Sequence, residues 1–182
     1  MLSISVFLAS NPGTDPVYMQ ATAALGHELA RRQITCIYGG SRTGLMQCLA
    51  DSVLDAGGKI IGVTVQALKD KENFHTGLTK LHVTPTLNER KAMMLELSDG
   101  CIALPGGIGT YDEFFEVCAL RQLGFHAKPC GLLNVNGFYD PLQLMLDTAN
   151  QAGFLKQSPQ NIMCIASDPS ALLDQLCAQA VK

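Results

Sequence analysis

The sequence contains no tryptophan, no CxxC pair, no basic block longer than Arg31-Arg32 and no Gly-Lys-Ser or Gly-Lys-Thr tripeptide. It also has no apolar run near the roughly 18 residues that a membrane-spanning helix requires. Each absence removes a class of protein. A formal net charge of -3 with scattered lysines and arginines gives no footprint for a nucleic-acid polymer. The seven cysteines lack the spacing of a zinc or thioredoxin-type centre and sit in apolar runs such as ITCIYGG and KPCGLLNV, where a thiol packs as a small hydrophobe. The opening MLSISVFLAS has the apolarity of a short signal segment but no basic stretch before it, and it reads as a strand and turn. The cytoplasm is therefore the expected compartment, with no membrane partner. What remains is a chain of 182 residues, 47% of them hydrophobic, which predicts one compact domain over residues 1–182.

Short β-rich runs alternate with longer helical patterns along the whole length. Strands are predicted over 4–8, 34–38, 59–65, 101–104, 129–133 and 162–165, with 81–83 as a further strand or extended lead-in. Helices are predicted over 17–32, 45–56, 88–97, 110–123, 139–150 and 169–180, with Asn88 capping the third and Gly57-Gly58 stopping the second. The polar segment LKDKENFHTGLTK reads as a short helix and loop. Repeated β-α units predict an α/β, Rossmann-like three-layer fold, an open and mostly parallel sheet flanked by helices. Ligands of such sheets bind beyond the C-terminal ends of the strands, where the strand order reverses.

Two glycine loops fall at strand-to-helix junctions, YGGSRTG and PGGIGT. The first lacks the glycine spacing of a dinucleotide fingerprint, and the second has Asp112 where a third glycine or alanine would stand. NAD, FAD and ATP hydrolysis are disfavoured. Two readings stay open for the loops: tight-turn packing, or backbone amides at a helix start meeting a phosphate.

The second loop runs into Asp112, Glu113 and Glu116. Glu113 and Glu116 are three apart and share a helix face, and Thr110 with Glu113 also matches a capping box. Glu113 is thus either a helix cap or a carboxylate available for chemistry, while Asp112 reads as solvated or as favouring the helix dipole. Glu89-Arg90-Lys91 supplies cations able to hold a phosphate or carboxylate, or simply a charged surface. Met93 and Met94 read as packing, His75 as exposed or structural rather than as a loop residue reaching into a pocket, and Arg42 and Thr43 as turn residues or phosphate contacts.

Taken together, YGGSRTGLM, NERKAMM and PGGIGTYDEFFE closely resemble the motifs of the Lonely Guy family, the cytokinin riboside 5'-monophosphate phosphoribohydrolases, often mislabelled lysine decarboxylases. The likeness extends over nearly the whole chain. It implies an enzyme that hydrolyses the bond between base and ribose in adenine or N6-substituted adenine nucleoside 5'-monophosphates, releasing free base and ribose 5-phosphate. By the same resemblance Arg90 and Glu113 are catalytic, Glu116 positions the ribose, and Gly106, Gly107, Gly109 and Thr110 hold the phosphate. Gly40 and Lys91 join them as substrate-binding residues. The resemblance further implies a homodimer with its sites near the subunit interface, and neither metal nor cofactor. The chain departs from the family pattern at Ser41, Gln47, Val65, Leu87 and Asn88. The rival expectation is a nucleotide-binding or carrier protein of the same fold that performs no hydrolysis. Decarboxylation of lysine is disfavoured, since Lys59, Lys91 and Lys128 have no context marking a pyridoxal phosphate lysine.

Overall fold

The computed structural model describes residues 2–69 and 74–180; residues 70–73, within the segment expected as a short helix and loop, lie outside the described residues. Among the described residues seven strands form one sheet, β1 (Ser3–Phe7), β2 (Thr35–Tyr38), β3 (Ile60–Val65), β4 (Lys80–Thr84), β5 (Gly100–Ala103), β6 (Cys130–Leu133) and β7 (Cys164–Ala166). Their order is β4-β3-β2-β1-β5-β6-β7, and each neighbouring pair is parallel. The three-layer α/β expectation therefore holds.

Alternation along each strand decides which layer receives which residue. Ile4, Val6, Cys36, Tyr38 and Ile60 pack against α1 (Pro16–Arg31), α2 (Gly44–Asp55) and α8 (Pro169–Ala180), through Leu25, Leu29, Leu49, Val53, Leu172 and Leu176. Phe7, Ile37, Val63, Cys101 and Leu132 point to the opposite face. There they meet Met94 of α4 (Leu87–Leu97), Phe114 and Val117 of α5 (Ile108–Gln122), Leu146 of α6 (Asp140–Gln151) and Ile162 of α7 (Pro159–Ile162). A four-residue helix, α3 (Gln66–Lys69), follows β3. Ser5 breaks the apolar run of β1, and its hydroxyl donates to the Met94 carbonyl at 2.8 Å, so the central strand and α4 are tied by a buried hydrogen bond.

Several boundaries differ from expectation for local reasons. Asn88 does not cap α4: Thr86 does, its hydroxyl accepting the Glu89 amide at 3.2 Å, while the Thr86 hydroxyl and the Glu89 carboxylate lie 2.9 Å apart. Thr86 and Glu89 have the threonine-to-glutamate spacing of a capping box. Helix α5 starts at Ile108 with Gly107 as its N-cap, so Thr110 already lies inside the helix. The strand expected over 162–165 divides into α7 and β7.

At the edge of the α1–α8 layer, Glu28 takes hydrogen bonds from Arg31 and Arg32, and Arg32 continues to Asp174 at 2.6 Å and to the Ser170 hydroxyl at 2.7 Å. These bonds, from Arg31 first, hold the Glu28 carboxyl down at about 2. A carboxyl held this low stabilises the fold fully above the ordinary carboxylate range and loses that contribution as pH falls through its folded value. Glu28→Gln is expected to cost about 1 kcal/mol, or about 2–4 °C in Tm, at pH 7. Thermal melts along a pH series should show this gap closing as pH falls towards about 2.

Candidate functional site

The chain runs outward from β1 to β2, β3 and β4, then returns to place β5 on the other side of β1. The loops leaving β1 and β5 therefore diverge, and a crevice opens between them at the C-terminal ends of the strands. A cleft of about 270 Å³ occupies this position. Its walls come from Ser10 and Asn11 after β1, Gly39 and Ser41 after β2, Met46 of α2 and Leu68 of α3. Arg90 of α4 and Gly107, Gly109, Thr110 and Glu113 of α5 complete it.

The N-terminus of α5 forms one end. Gly107 has no side chain with which to cap, and helix geometry leaves the first amides of α5 without carbonyl partners inside the helix. Thr110 folds back over the turn so closely that a Cβ on Gly106 would lie 2.1 Å from its hydroxyl. Glycine at 106 is thus needed for the turn and Thr110 to coexist. Uncapped amides with the positive end of the helix dipole suit an anion.

One turn further along α5, Glu113 is only 8% exposed and forms an ion pair with Arg90, also 8% exposed. The Arg90 guanidinium is fixed on more than one side. Its Nε donates to the Val63 carbonyl at 2.8 Å and its Nη1 to Glu113. Its Nη2 lies where a Cβ on Gly39 would come within 2.7 Å. Burial raises the Glu113 pKa above the ordinary carboxylate range, against the opposing attraction of Arg90. Helix capping by Glu113 is excluded, because Gly107 is the cap and Glu113 bonds to Arg90.

The other expected site residues are distributed around this pair. Lys91 and Glu116 lie along a neighbouring groove between α4 and α5, of about 310 Å³, which Glu113 also borders. There the Lys91 ammonium pairs with Glu116 and, at 3.0 Å, with Asp112. Gly106 borders a smaller pocket beside the cleft, of about 210 Å³, with Asn11 and Gly107. Gly40 adopts φ +84, a left-handed conformation that favours glycine, and its carbonyl accepts the His75 amide at 3.2 Å. His75 is structural: Nδ1 accepts the Gly77 amide and Nε2 bonds to Asp51 at 2.8 Å. Arg42 is exposed, and the Thr43 hydroxyl bonds to that of Ser41 at 3.0 Å.

Sequence reasoning missed Ser10, Asn11, Gly39, Met46 and Leu68. The segment after β1 reads as a plain turn until β1 is known to be the strand at which the order reverses. Gly39 had a signal in its adjacency to Gly40, but its reason, the approach of Arg90, comes from a different helix.

This arrangement defines a Rossmann-like α/β protein with an anion-suited cleft and a buried arginine–glutamate pair at its switch point. Residues 46–176 match the protein family described as "Possible lysine decarboxylase". The chain is 42% identical over 167 residues to a cytokinin riboside 5'-monophosphate phosphoribohydrolase of Rhodococcoides fascians, covering 91% of this chain and 84% of the relative. It is 38% identical to the cytokinin riboside 5'-monophosphate phosphoribohydrolase LOG2 of Arabidopsis thaliana, covering 95% of this chain and 81% of that one. The chain belongs to the Lonely Guy family. Among solved structures it is similar to a molybdenum cofactor binding protein from Rippkaea orientalis, at 25% identity and TM-score 0.70, covering 97% and 96% of the two chains. The molybdenum cofactor carrier protein of Chlamydomonas reinhardtii shares the fold at TM-score 0.69 and 21% identity, covering 100% of this chain and 99% of that one.

Proposed function

We propose that the protein is a nucleoside 5'-monophosphate phosphoribohydrolase. It hydrolyses the N-glycosidic bond of adenine or N6-substituted adenine nucleotides and releases free base and ribose 5-phosphate. One observation carries the reading: the uncapped start of α5 and the buried Arg90–Glu113 pair share one cleft, one helical turn apart. A 5'-phosphate and C1' belong to the same small molecule and need that spacing. The phosphate rests on the amides of Gly107 and Gly109 and on Thr110, with Gly106 and Gly40 shaping the loops that present them. Binding energy gained there aligns the sugar at Glu113.

As the base departs, C1' becomes oxocarbenium-like, and the Glu113 carboxylate stabilises that charge or accepts a proton from the attacking water. Arg90 opposes the rise that burial imposes on the Glu113 pKa, favouring the carboxylate, and holds its orientation. The resemblance assigns Glu116 to the ribose; its carboxylate stands in the neighbouring groove, paired with Lys91. None of these steps calls on a metal or an organic cofactor. Among the described residues no helix is long and apolar enough to cross a membrane, and we place the enzyme in the cytoplasm. We also propose a homodimer with its sites near the interface: Leu123 and Phe125 stand 72% and 75% exposed at the end of α5, with Phe125 lining the groove that Glu113 borders.

A second reading, a nucleotide or cofactor carrier, draws on the fold shared with the molybdenum cofactor proteins. Incubating the purified protein with AMP and an N6-substituted AMP, with chromatographic detection of base and ribose 5-phosphate, separates the two. Stoichiometric production of both products in many turnovers is expected. Tight binding without products would establish the carrier.

A further inference from the structure

The resemblance makes Lys91 a substrate-binding cation, and its neighbour Arg90 faces the cleft. The geometry of Lys91 is different. Its ammonium lies on the groove side of α4, 13% exposed as a side chain, and is engaged by the carboxylates of Asp112 and Glu116. These two are four residues apart on α5, with Glu113 between them in sequence. A lysine neutralised by two carboxylates has little charge left to offer a phosphate, and a substrate phosphate at the start of α5 already has the amides and dipole of that helix. Two consecutive residues of α4 thus grip one turn of α5 from two directions.

We propose that Lys91 is a positioning residue: its ammonium, clamped between Asp112 and Glu116, fixes α5 against α4 so that Glu113 meets Arg90, and it does not hold the substrate phosphate. The inference rests on the phosphoribohydrolase reading and assigns a role within it. Lys91 also acts on Glu113 through space. The charges facing Glu113 are Arg90 and Lys91 from α4 and Asp112 and Glu116 from α5 itself. Glu96, His126 and Lys128 line the same groove. The last two are committed to backbone: His126 Nε2 to the Val117 carbonyl at 3.0 Å, and Lys128 Nζ to the Leu95 carbonyl at 2.5 Å. Burial raises the Glu113 pKa first of all, and Arg90 and, to a smaller degree, Lys91 oppose that rise, whereas Asp112 adds to it. Removing Lys91 therefore takes away an opposing charge, and protonation of Glu113 reaches to higher pH.

The test compares steady-state hydrolysis of AMP by wild type, Lys91→Met and Lys91→Arg across pH 5–9. The expected result for Lys91→Met is a kcat lowered about tenfold with KM within about threefold of wild type, and an acid limb of the pH–kcat profile moved upward by about half a unit. Lys91→Arg, which can still bridge two carboxylates, restores the limb and most of kcat. A KM raised about tenfold or more for Lys91→Met, with kcat and the acid limb unmoved, is the signature of a lost phosphate contact and overturns the inference. Should Lys91→Met not fold, Lys91→Gln carries the same readings. If wild type itself releases no base, it is the phosphoribohydrolase reading that fails, and the two failures are told apart by that control.

Discussion

Glu113→Gln is expected to bind AMP within about threefold of wild type while releasing adenine about a thousandfold more slowly, the loss typical of a missing general base or charge stabiliser. The substitution keeps shape and hydrogen-bonding capacity but removes the negative charge. The phosphate end, built from the start of α5, is untouched, so ground-state binding survives. What disappears is the one anionic group that, among the described residues, is buried in the cleft, and the proposed reaction needs it at the carbon that becomes cationic. Adenine release followed by chromatography, paired with calorimetric titration of AMP, reads both quantities. Turnover within a few-fold of wild type would remove Glu113 from the chemistry.

Arg90→Met is expected to abolish turnover at neutral pH and to destabilise the fold by about 3–5 kcal/mol, because it leaves a buried carboxylate without its counter-ion. With the guanidinium gone, the Glu113 pKa rises further. A carboxyl whose folded pKa lies above its unfolded value destabilises the fold as pH climbs from the ordinary carboxylate range through the folded value. The variant should therefore be least impaired in acid and most impaired in alkali. Urea unfolding at pH 5, 7 and 9 measures the trend. The double variant Arg90→Met/Glu113→Leu should recover most of the lost stability and flatten the pH dependence, with no return of activity. Equal stability of wild type and Arg90→Met at pH 9 would contradict the buried pair.

The parts of this fold legible in the sequence are those encoded locally. Alternating periods of two and 3.6 mark the strands and helices, and both glycine loops read as strand-to-helix junctions. Asn88 misled because it has a capping side chain, although Thr86 and Glu89 carried the fuller signature. Glu113 was ambiguous for a physical reason: the threonine three residues before it forms a capping pattern on paper, and only the true helix start at Ile108 dissolves it. Arg90 and Glu113 are 23 positions apart, and nothing periodic joins them. Their pairing is made by the packing of α4 on α5, and in the sequence only the family resemblance links the two. The contributions of Ser10, Asn11 and Leu68 depend on strand order, which no local signal encodes. The occupation of Lys91 by two carboxylates was hidden for the same reason, since it depends on how α4 meets α5.

The position of β1 in the middle of the sheet has a consequence for synthesis. Its hydrogen-bonding edge next to β5 stays open until Gly100–Ala103 are made, so the first half of the chain can assemble only the half-sheet β4-β3-β2-β1, with the edge of this central strand unpaired. Such an edge is a template for mispairing while it waits. The same delay governs the cleft, because Gly107 to Glu113 arrive immediately behind that strand. Pairing of the open β1 edge and completion of the cleft thus depend on one stretch of chain, 100–113, and a chain stalled before β5 carries neither.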